Sequence, residues 1–220
     1  TFFTATDGNH GRGVAWAANR LGQKAVVHMP KGTTQTRLQN IAKEGAQVDI
    51  QELNYDDCVR LAAKEADETP RGVIVQDTAW DGYEEIPAWI MQGYSTMAME
   101  AGEQLKAQGC ERPTHIFVQA GVGSLAGAVV GYFSNLYADN LPTFVVVEAE
   151  AAACLYKGAA AGESGAAPFG ALAAMMTMDE YKDLRNDIGL DENSKVLLFS
   201  TEGDTDPDRY KNIVWKGLDK

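Results

Sequence analysis

Apolar residues recur at two different spacings along the first third of the chain. Val14, Ala17, Ala18 and Leu21 follow the three- and four-residue spacing of an amphipathic helix. Short apolar runs between helical stretches predict strands instead. These strands are predicted at 25–29, 48–50 and 73–75. Helices that alternate with strands in this order predict a parallel sheet with right-handed crossovers.

The second half of the chain has the same α/β character. Between Gln76 and Trp89 aromatic and acidic residues crowd together without a clear period, and Pro87 then opens a long helix that Gly109 ends. Further strands are predicted at 115–119, 143–148 and 196–199, with a glycine-rich turn at 121–127 and a helix at 128–137. We therefore predict two α/β domains with mostly parallel sheets, at 1–75 and 76–220.

Composition narrows the possible partners. The net charge is −12 and the sequence pI is near 4.6, so a nucleic acid or an anionic membrane surface would be repelled. No apolar stretch approaches the ~20 residues that span a bilayer. The three cysteines are Cys58, Cys110 and Cys154, too scattered for a disulfide framework or a metal site. We expect reduced thiols, a cytoplasmic protein and no bound metal.

Three polar loops could carry chemistry. The first, 6–11, precedes a helix, and its two glycines would let an anion approach the helix N-terminus. Alternatively, Asp7 or Asn9 simply caps that helix. The third loop, 200–206, places hydroxyls and carboxylates directly after a buried strand, where open α/β sheets bind ligands.

The second loop, Gly121–Gly127, lies between a strand and a helix, which is the arrangement that cradles a phosphate through backbone N–H groups. It lacks the Lys-Ser/Thr ending of a P-loop. Glu148 ends the next strand, where a ribose-binding acid would lie, so an NAD(P)-dependent oxidoreductase is one alternative. A non-enzymatic module for small acidic or phosphorylated ligands is another.

Together the three loops resemble those of the tryptophan-synthase-like, or fold type II, pyridoxal-phosphate enzymes. More narrowly, four segments resemble the diaminopropionate ammonia-lyases of that family, which convert 2,3-diaminopropionate to pyruvate and ammonia. These segments are Thr6-Asp7-Gly8-Asn9-His10-Gly11-Arg12-Gly13, Asn54-Tyr55-Asp56-Asp57-Cys58, Gln76-Asp77-Thr78-Ala79-Trp80 and Ser200-Thr201-Glu202-Gly203-Asp204-Thr205-Asp206. A serine- or threonine-dehydratase within the same family is the nearest alternative.

The resemblance implies a set of site residues around pyridoxal 5'-phosphate. Asn9 would hydrogen-bond the 3-hydroxyl of the cofactor ring, and Ser200 or Thr201 would face the pyridine nitrogen. Asp7 and Asp77 would line the substrate site, the first as a base for one enantiomer and the second as partner of the distal ammonium. The phosphate would be held by Gly121, Val122, Gly123, Ser124 and Leu125.

The resemblance also implies parts that this sequence does not contain. It places the Schiff-base lysine upstream of the Gly8-Asn9-His10 element, so we expect that lysine, and an N-terminal segment of the larger domain, to precede Thr1. We expect a further segment to be missing between Ala161 and Gly162. The expected partners are a small amino-acid substrate and a second copy of the chain, as a homodimer.

Overall fold

The computed structural model describes residues 1–148 and 167–201. The chain divides into two compact units, Thr1–Pro87 and Ala88–Lys220. Each unit is built on its own parallel sheet. The described strands run in the order 47–50, 25–29, 2–5 and 73–74 across the first sheet, and 143–148, 115–120 and 196–198 across the second. The predicted α/β fold class with parallel sheets is therefore confirmed.

The first unit alternates strictly between strands and helices. Its elements are β1 (Phe2–Ala5), α1 (Asn9–Arg20), β2 (Ala25–Met29), α2 (Gln35–Ala42), β3 (Gln47–Ile50), α3 (Tyr55–Glu68) and β4 (Val73–Ile74). Helix α3 begins where its local signal indicates, because the Asn54 side chain accepts a hydrogen bond from the Asp57 amide at 2.9 Å.

Strand β1 is central to the first sheet, although the apolar pattern did not predict it. It pairs in parallel with β2 on one side and β4 on the other. The strand has only four residues, and one of them, Thr4, is polar and fully buried. Such a strand leaves no alternating pattern that sequence analysis can detect, since both of its faces are covered.

Helices cover both faces of the first sheet. Val27 and Met29 of β2 pack with Ala15 of α1 and Ile41 of α2. Phe3 of β1 packs instead with Ala62 and Ala66 of α3, and Val26 lies against the same cluster. Neighbouring residues of β2 thus point to opposite faces, as the two-residue period of a strand requires. The result is a three-layer unit.

The division between the units falls after Pro87 rather than after Val75. The stretch beyond β4 stays with the first sheet because its side chains bond to it. Tyr83 Oη accepts from the Gln76 amide at 2.7 Å and lies 3.1 Å from the Ile74 carbonyl. A sequence boundary drawn where the apolar period stops cannot anticipate such side-chain bonds.

Within the described residues, the second unit has a three-stranded sheet. Its elements are α4 (Glu85–Ala107, which begins just before the division), β5 (His115–Ala120), α5 (Ser124–Leu136), β6 (Thr143–Glu148), α6 (Ala167–Thr177), a 3₁₀ turn (Asp179–Tyr181), α7 (Lys182–Asp187) and β7 (Val196–Leu198). Ile116 and Val118 of β5 pack with α4 and α5, whereas Phe117 packs with Met175 of α6. Among the described residues, no helix is long and apolar enough to cross a membrane.

Helix α5 begins four residues earlier than the sequence predicts, inside the expected glycine turn. Gly123 is the N-cap of α5 and has a φ of +95°, a backbone conformation that residues other than glycine rarely adopt. Ser124 is therefore the first helical residue, and Leu125 the second. The predicted junction of Ala161 and Gly162, as well as Cys154, lies outside the described residues.

Candidate active site

The loop before α1 is held by Thr6. Its hydroxyl accepts hydrogen bonds from the amides of Gly8 and Gly11, at 2.9 and 3.1 Å. Gly8 occupies the N-cap position and Asn9 is the first helical residue. Neither Asp7 nor Asn9 caps the helix, so that alternative is wrong. Both residues are exposed. The Thr6 hydroxyl accepts the amide hydrogen bonds that a capping Asp7 or Asn9 side chain would have accepted.

Asp7 lies on this loop with its side chain 77% exposed. Its neighbour is Arg37 of α2, whose guanidinium donates to the Asp7 carbonyl at 3.1 Å and lies 3.9 Å from the Asp7 carboxylate. Arg37 therefore fixes the backbone of the loop while the Asp7 carboxylate remains accessible. An exposed carboxylate of this kind can bind a cation or accept a proton.

Asp77 directly follows Gln76, beyond the end of β4, and is much less accessible. Its Oδ1 accepts from Gln76 Nε2 at 3.1 Å, and its Oδ2 lies 3.8 Å from His10 Nδ1. The opposite ring nitrogen of His10, Nε2, lies 2.8 Å from the Val75 carbonyl. The side chains of His10 and Asp77 are each only 13% exposed. This edge of the first sheet thus brings a histidine and a carboxylate together in a nearly buried setting.

Tyr55 has a pKa that responds to the charges of both carboxylates, Asp7 and Asp77. Its hydroxyl accepts from Gln76 Nε2 at 2.9 Å. The pKa of Tyr55 is raised to about 12, chiefly by burial and in addition by the charges of Asp77 and Asp7. Asp7 and Asp77 therefore act on the same phenol, which stays protonated and neutral.

The glycine loop of the second unit follows the carboxyl end of β5. The Gly127 amide donates to the Gly123 carbonyl at 2.8 Å, so Gly123 begins the hydrogen bonding of α5 and the loop ends at a helix N-terminus. A Cβ built on Gly121 or Gly123 meets no atom within 4 Å. The loop therefore presents backbone donors beside open space, which suits an anion. Val122 is largely exposed and Ser124 is buried.

A long-range hydrogen bond joins this region to the segment after β7. Gln119 Nε2 of β5 donates to Thr201 Oγ1 at 2.6 Å, and Gln119 Oε1 is buried without a partner among the described residues. Ser200 and Thr201 themselves are exposed. Because β7 pairs with β5, the start of the third loop, as far as Thr201, lies beside the strand that leads into the second loop. Residues 202–206 lie outside the described residues.

Comparison with known proteins supplies the family. A model of the family described as "Pyridoxal-phosphate dependent enzyme" matches residues 1–194. The chain is also 44% identical to the diaminopropionate ammonia-lyase of Salmonella typhimurium, over 98% of the chain and 70% of that relative. The chain belongs to the diaminopropionate ammonia-lyase family of pyridoxal-phosphate dependent enzymes. These enzymes are lyases, and the comparison favours an ammonia-lyase function over the dehydratase and oxidoreductase alternatives.

Solved structures agree with the family assignment. The apo diaminopropionate ammonia-lyase of Escherichia coli superposes with a TM-score of 0.87 at 42% identity, over 98% of this chain and 69% of that one. The same enzyme in complex with an aminoacrylate-PLP azomethine reaction intermediate gives 0.86 at 38% identity, covering 98% and 71%. The Salmonella alignment is 283 residues long and this chain has 220, so at least 63 aligned positions have no counterpart here.

The described residues fit the family's cofactor, pyridoxal phosphate. Its phosphate is a dianion that needs hydrogen-bond donors and close backbone approach. The loop at 121–125 offers amides at a helix N-terminus, and its glycines leave open space. The oxygen of Gln119, which has no partner within the part of the chain that the structure describes, marks a further polar position at the same sheet edge.

Several polar residues around the candidate site were missed or left unassigned by sequence reasoning. They are Thr6, His10, Tyr55, Gln76 and Gln119. Each lies beside a predicted site residue, within one of the quoted motifs or within a predicted strand. The one signal that could have found Gln76 and Gln119 is a glutamine inside or directly after an apolar strand, where a buried amide needs partners.

Proposed function

We propose that this chain, in its full-length protein, carries out pyridoxal-phosphate-dependent elimination on 2,3-diaminopropionate. One substrate molecule and one water give one pyruvate and two ammonia. When bound, the cofactor withdraws the electron pair that is left at the α-carbon after its proton departs. The chain's own residues hold the cofactor, orient the substrate and move the proton.

The cofactor-binding residues are proposed from the family resemblance and from the local structure. The amides of Gly121, Val122, Gly123, Ser124 and Leu125 hold the phosphate. Asn9 bonds the 3-hydroxyl, which its exposed amide is able to do. Of the two hydroxyls proposed for the pyridine nitrogen, Thr201 is supported more strongly, because Gln119 donates to it and leaves its own hydrogen available.

The two aspartates are proposed to act on the substrate. Asp7 takes the α-proton of the D-enantiomer, and Asp77 pairs with the distal ammonium. The observation that carries this proposal is that Asp7 and Asp77 follow the carboxyl ends of two adjacent parallel strands, β1 and β4. They therefore lie around one small region, with an exposed carboxylate for proton transfer and a nearly buried one for charge recognition.

The test uses the full-length protein loaded with pyridoxal phosphate. We expect pyruvate release from both enantiomers of 2,3-diaminopropionate, detected by coupling to lactate dehydrogenase. Asp7→Asn removes the base, so it should lower kcat for the D-enantiomer by at least about 100-fold and retain much of the L-activity. Because Thr6 caps the helix, the variant should unfold at the same denaturant concentration as the wild type. Equal losses on both enantiomers would contradict the assignment of Asp7.

We also propose a cytoplasmic homodimer. The described cysteines Cys58 and Cys110 are both free thiols, as a reducing compartment would keep them. Large apolar side chains on both units are exposed, and burial against a second copy would stabilise them. The clearest of these are Trp16, Trp89 and Phe169, all more than half exposed. Light scattering after gel filtration should give twice the mass of one chain, and a monomeric mass would contradict the proposal.

A further inference from the structure

Arg37 lies in the first turn of α2, on a backbone that the fold holds in place. Its amide donates to the side chain of Thr34, the N-cap of this helix, at 3.4 Å. One turn later Ile41 is buried in a core cluster with Val27 of β2, so α2 is packed on the first sheet. The side chain of Arg37 is only 16% exposed. A nearly buried cation thus lies at the edge of the candidate site.

One nitrogen of the Arg37 guanidinium contacts both the backbone and the side chain of Asp7. Nη1 donates to the Asp7 carbonyl at 3.1 Å. The same nitrogen lies 3.9 Å from Asp7 Oδ2, which is beyond hydrogen-bond range, so this contact leaves the lone pairs of Oδ2 unused. The Asp7 side chain is 77% exposed. Arg37 therefore holds the backbone of Asp7 without covering its carboxylate.

The peptide group between Asp7 and Gly8 is held at both ends. Its N–H, the Gly8 amide, donates to the Thr6 hydroxyl at 2.9 Å. Its oxygen, the Asp7 carbonyl, accepts from Arg37. A base that must reach one particular proton needs such a fixed backbone, because a displacement of about 1 Å can lower a rate about 100-fold. Of these two contacts, only the one from Arg37 comes from a different element of the fold.

We propose that Arg37 is a positioning residue for the Asp7 carboxylate in the removal of the α-proton from the D-enantiomer of the substrate. This inference rests on the proposed function, in which Asp7 is that base. In the step, the bond between the α-carbon and its hydrogen breaks and the proton passes to an Asp7 oxygen. The electron pair stays with the substrate and is withdrawn by the bound cofactor. Arg37 acts through Asp7, so its loss should affect only the enantiomer that Asp7 serves.

The decisive variant is Arg37→Met in the full-length, cofactor-loaded protein. Methionine keeps a long apolar side chain beside the loop but has neither a charge nor a donor for the Asp7 carbonyl. We expect kcat for D-2,3-diaminopropionate to fall at least about tenfold and kcat for the L-enantiomer to change less than about twofold. Arg37→Lys keeps a charged donor, so its D-activity should lie between those of Arg37→Met and the wild type.

A double variant tests whether Arg37 acts through Asp7. The base is already absent in Asp7→Asn, so adding Arg37→Met should lower the remaining D-activity by less than about twofold. The matched control is Arg12→Met, which removes the same charge from α1. Arg12 is more than half exposed and pairs with Glu44 at 3.0 Å. This control should leave kcat for both enantiomers within about twofold of the wild type.

A further measurement does not depend on turnover. Amide hydrogen exchange at Gly8 of the full-length protein should be faster in Arg37→Met than in the wild type, because Arg37 holds the oxygen of the same peptide group. Arg12→Met should exchange at the wild-type rate. Equal exchange at Gly8 in Arg37→Met and the wild type would overturn the proposal.

The outcomes separate this inference from the proposed function. If the wild type releases no pyruvate, or if Asp7→Asn lowers kcat equally for both enantiomers, the proposed function or its assignment of Asp7 fails. If Asp7→Asn is selective for the D-enantiomer but Arg37→Met lowers both activities equally or neither, the proposed function stands and the positioning role of Arg37 is wrong. A D-selective loss in Arg37→Met that is absent in the Asp7→Asn background supports the inference.

Discussion

The side chain of Gln76 pairs with the backbone of Ala5 as a neighbouring strand would. Its Oε1 accepts from the Ala5 amide at 3.0 Å and its Nε2 donates to the Ala5 carbonyl at 3.1 Å. Strand β4 has only two residues and ends at Ile74, so this side chain continues the hydrogen bonding along β1. The same amide reaches Asp77 and Tyr55. Gln76 therefore links the sheet to the candidate site.

Replacement of Gln76 by leucine should destabilise the first unit. Leucine fills a similar space but leaves the buried Ala5 amide and carbonyl without partners. We expect a loss of about 3 kcal/mol in the free energy of unfolding, measured by urea denaturation. The matched control is Gln39→Leu on the exposed side of α2, which should stay within about 0.5 kcal/mol of the wild type. Equal stabilities for the two variants would contradict the role of Gln76.

Two glycines of α1 should respond oppositely to alanine. A Cβ on Gly11 would overlap the Thr6 methyl group and lie 2.9 Å from Val27 Cγ1, so Gly11→Ala should cost about 1–3 kcal/mol. A Cβ on Gly13 meets nothing within 4 Å. Gly13→Ala should instead stabilise the protein by about 0.5–1 kcal/mol through helix propensity. Thermal unfolding of both variants tests the packing of α1 on the Thr6 loop, and a stable Gly11→Ala protein would show that this packing is looser than described.

His28 should make stability depend on pH. Burial by itself would lower the pKa of its ring, but hydrogen bonds to Asp49 and Glu65, with the charges of both, outweigh burial and raise it above 6.5. The folded protein therefore binds this proton more tightly than the unfolded chain. The stabilisation is complete below pH 6.5 and is lost as the pH rises through the raised pKa of the folded state.

Urea denaturation across this pH range checks the His28 prediction. The wild type should lose stability relative to a double variant, Asp49→Asn with Glu65→Gln, as the pH rises from 6 to 9. The amides keep the shape of the side chains but remove the charges that hold the proton. A constant difference between the two proteins over this range would show that His28 does not change its protonation on unfolding.

Ser124→Asp should weaken cofactor binding without unfolding the second unit. A carboxylate at the start of α5 is compatible with the helix dipole, yet it takes the amides and the positive potential that a phosphate needs. Titration of the apo protein with pyridoxal phosphate should show at least about a tenfold weaker affinity. Thr96→Asp, which adds the same charge at an exposed position of α4, is the control and should bind normally. Unchanged affinity in Ser124→Asp would remove the loop from the phosphate site.

Local signals in the sequence determined where helices begin, the type of sheet and the family of this protein. Asn54 caps α3 through a purely local interaction, because an N-cap needs only a side chain three residues before the amide that it serves. The position of Gly123 determines where α5 begins, since that backbone conformation excludes most other residues. The alternation of helices and strands predicted parallel sheets, and the motifs around Asp7, Asp77 and Ser200 predicted the family.

Only the tertiary structure decided which distant residues meet. Gln76 bonds Ala5 across 71 positions, His10 bonds Val75 across 65, and Gln119 bonds Thr201 across 82. Period and propensity describe neighbours along one element and carry no information about such pairs. Strand β1 could not be predicted from the sequence for the same reason, since its burial depends on β2, β4 and the helices around it. The candidate site therefore follows from the folded chain, which brings His10 of α1 to within 3.8 Å of Asp77 beyond the end of β4.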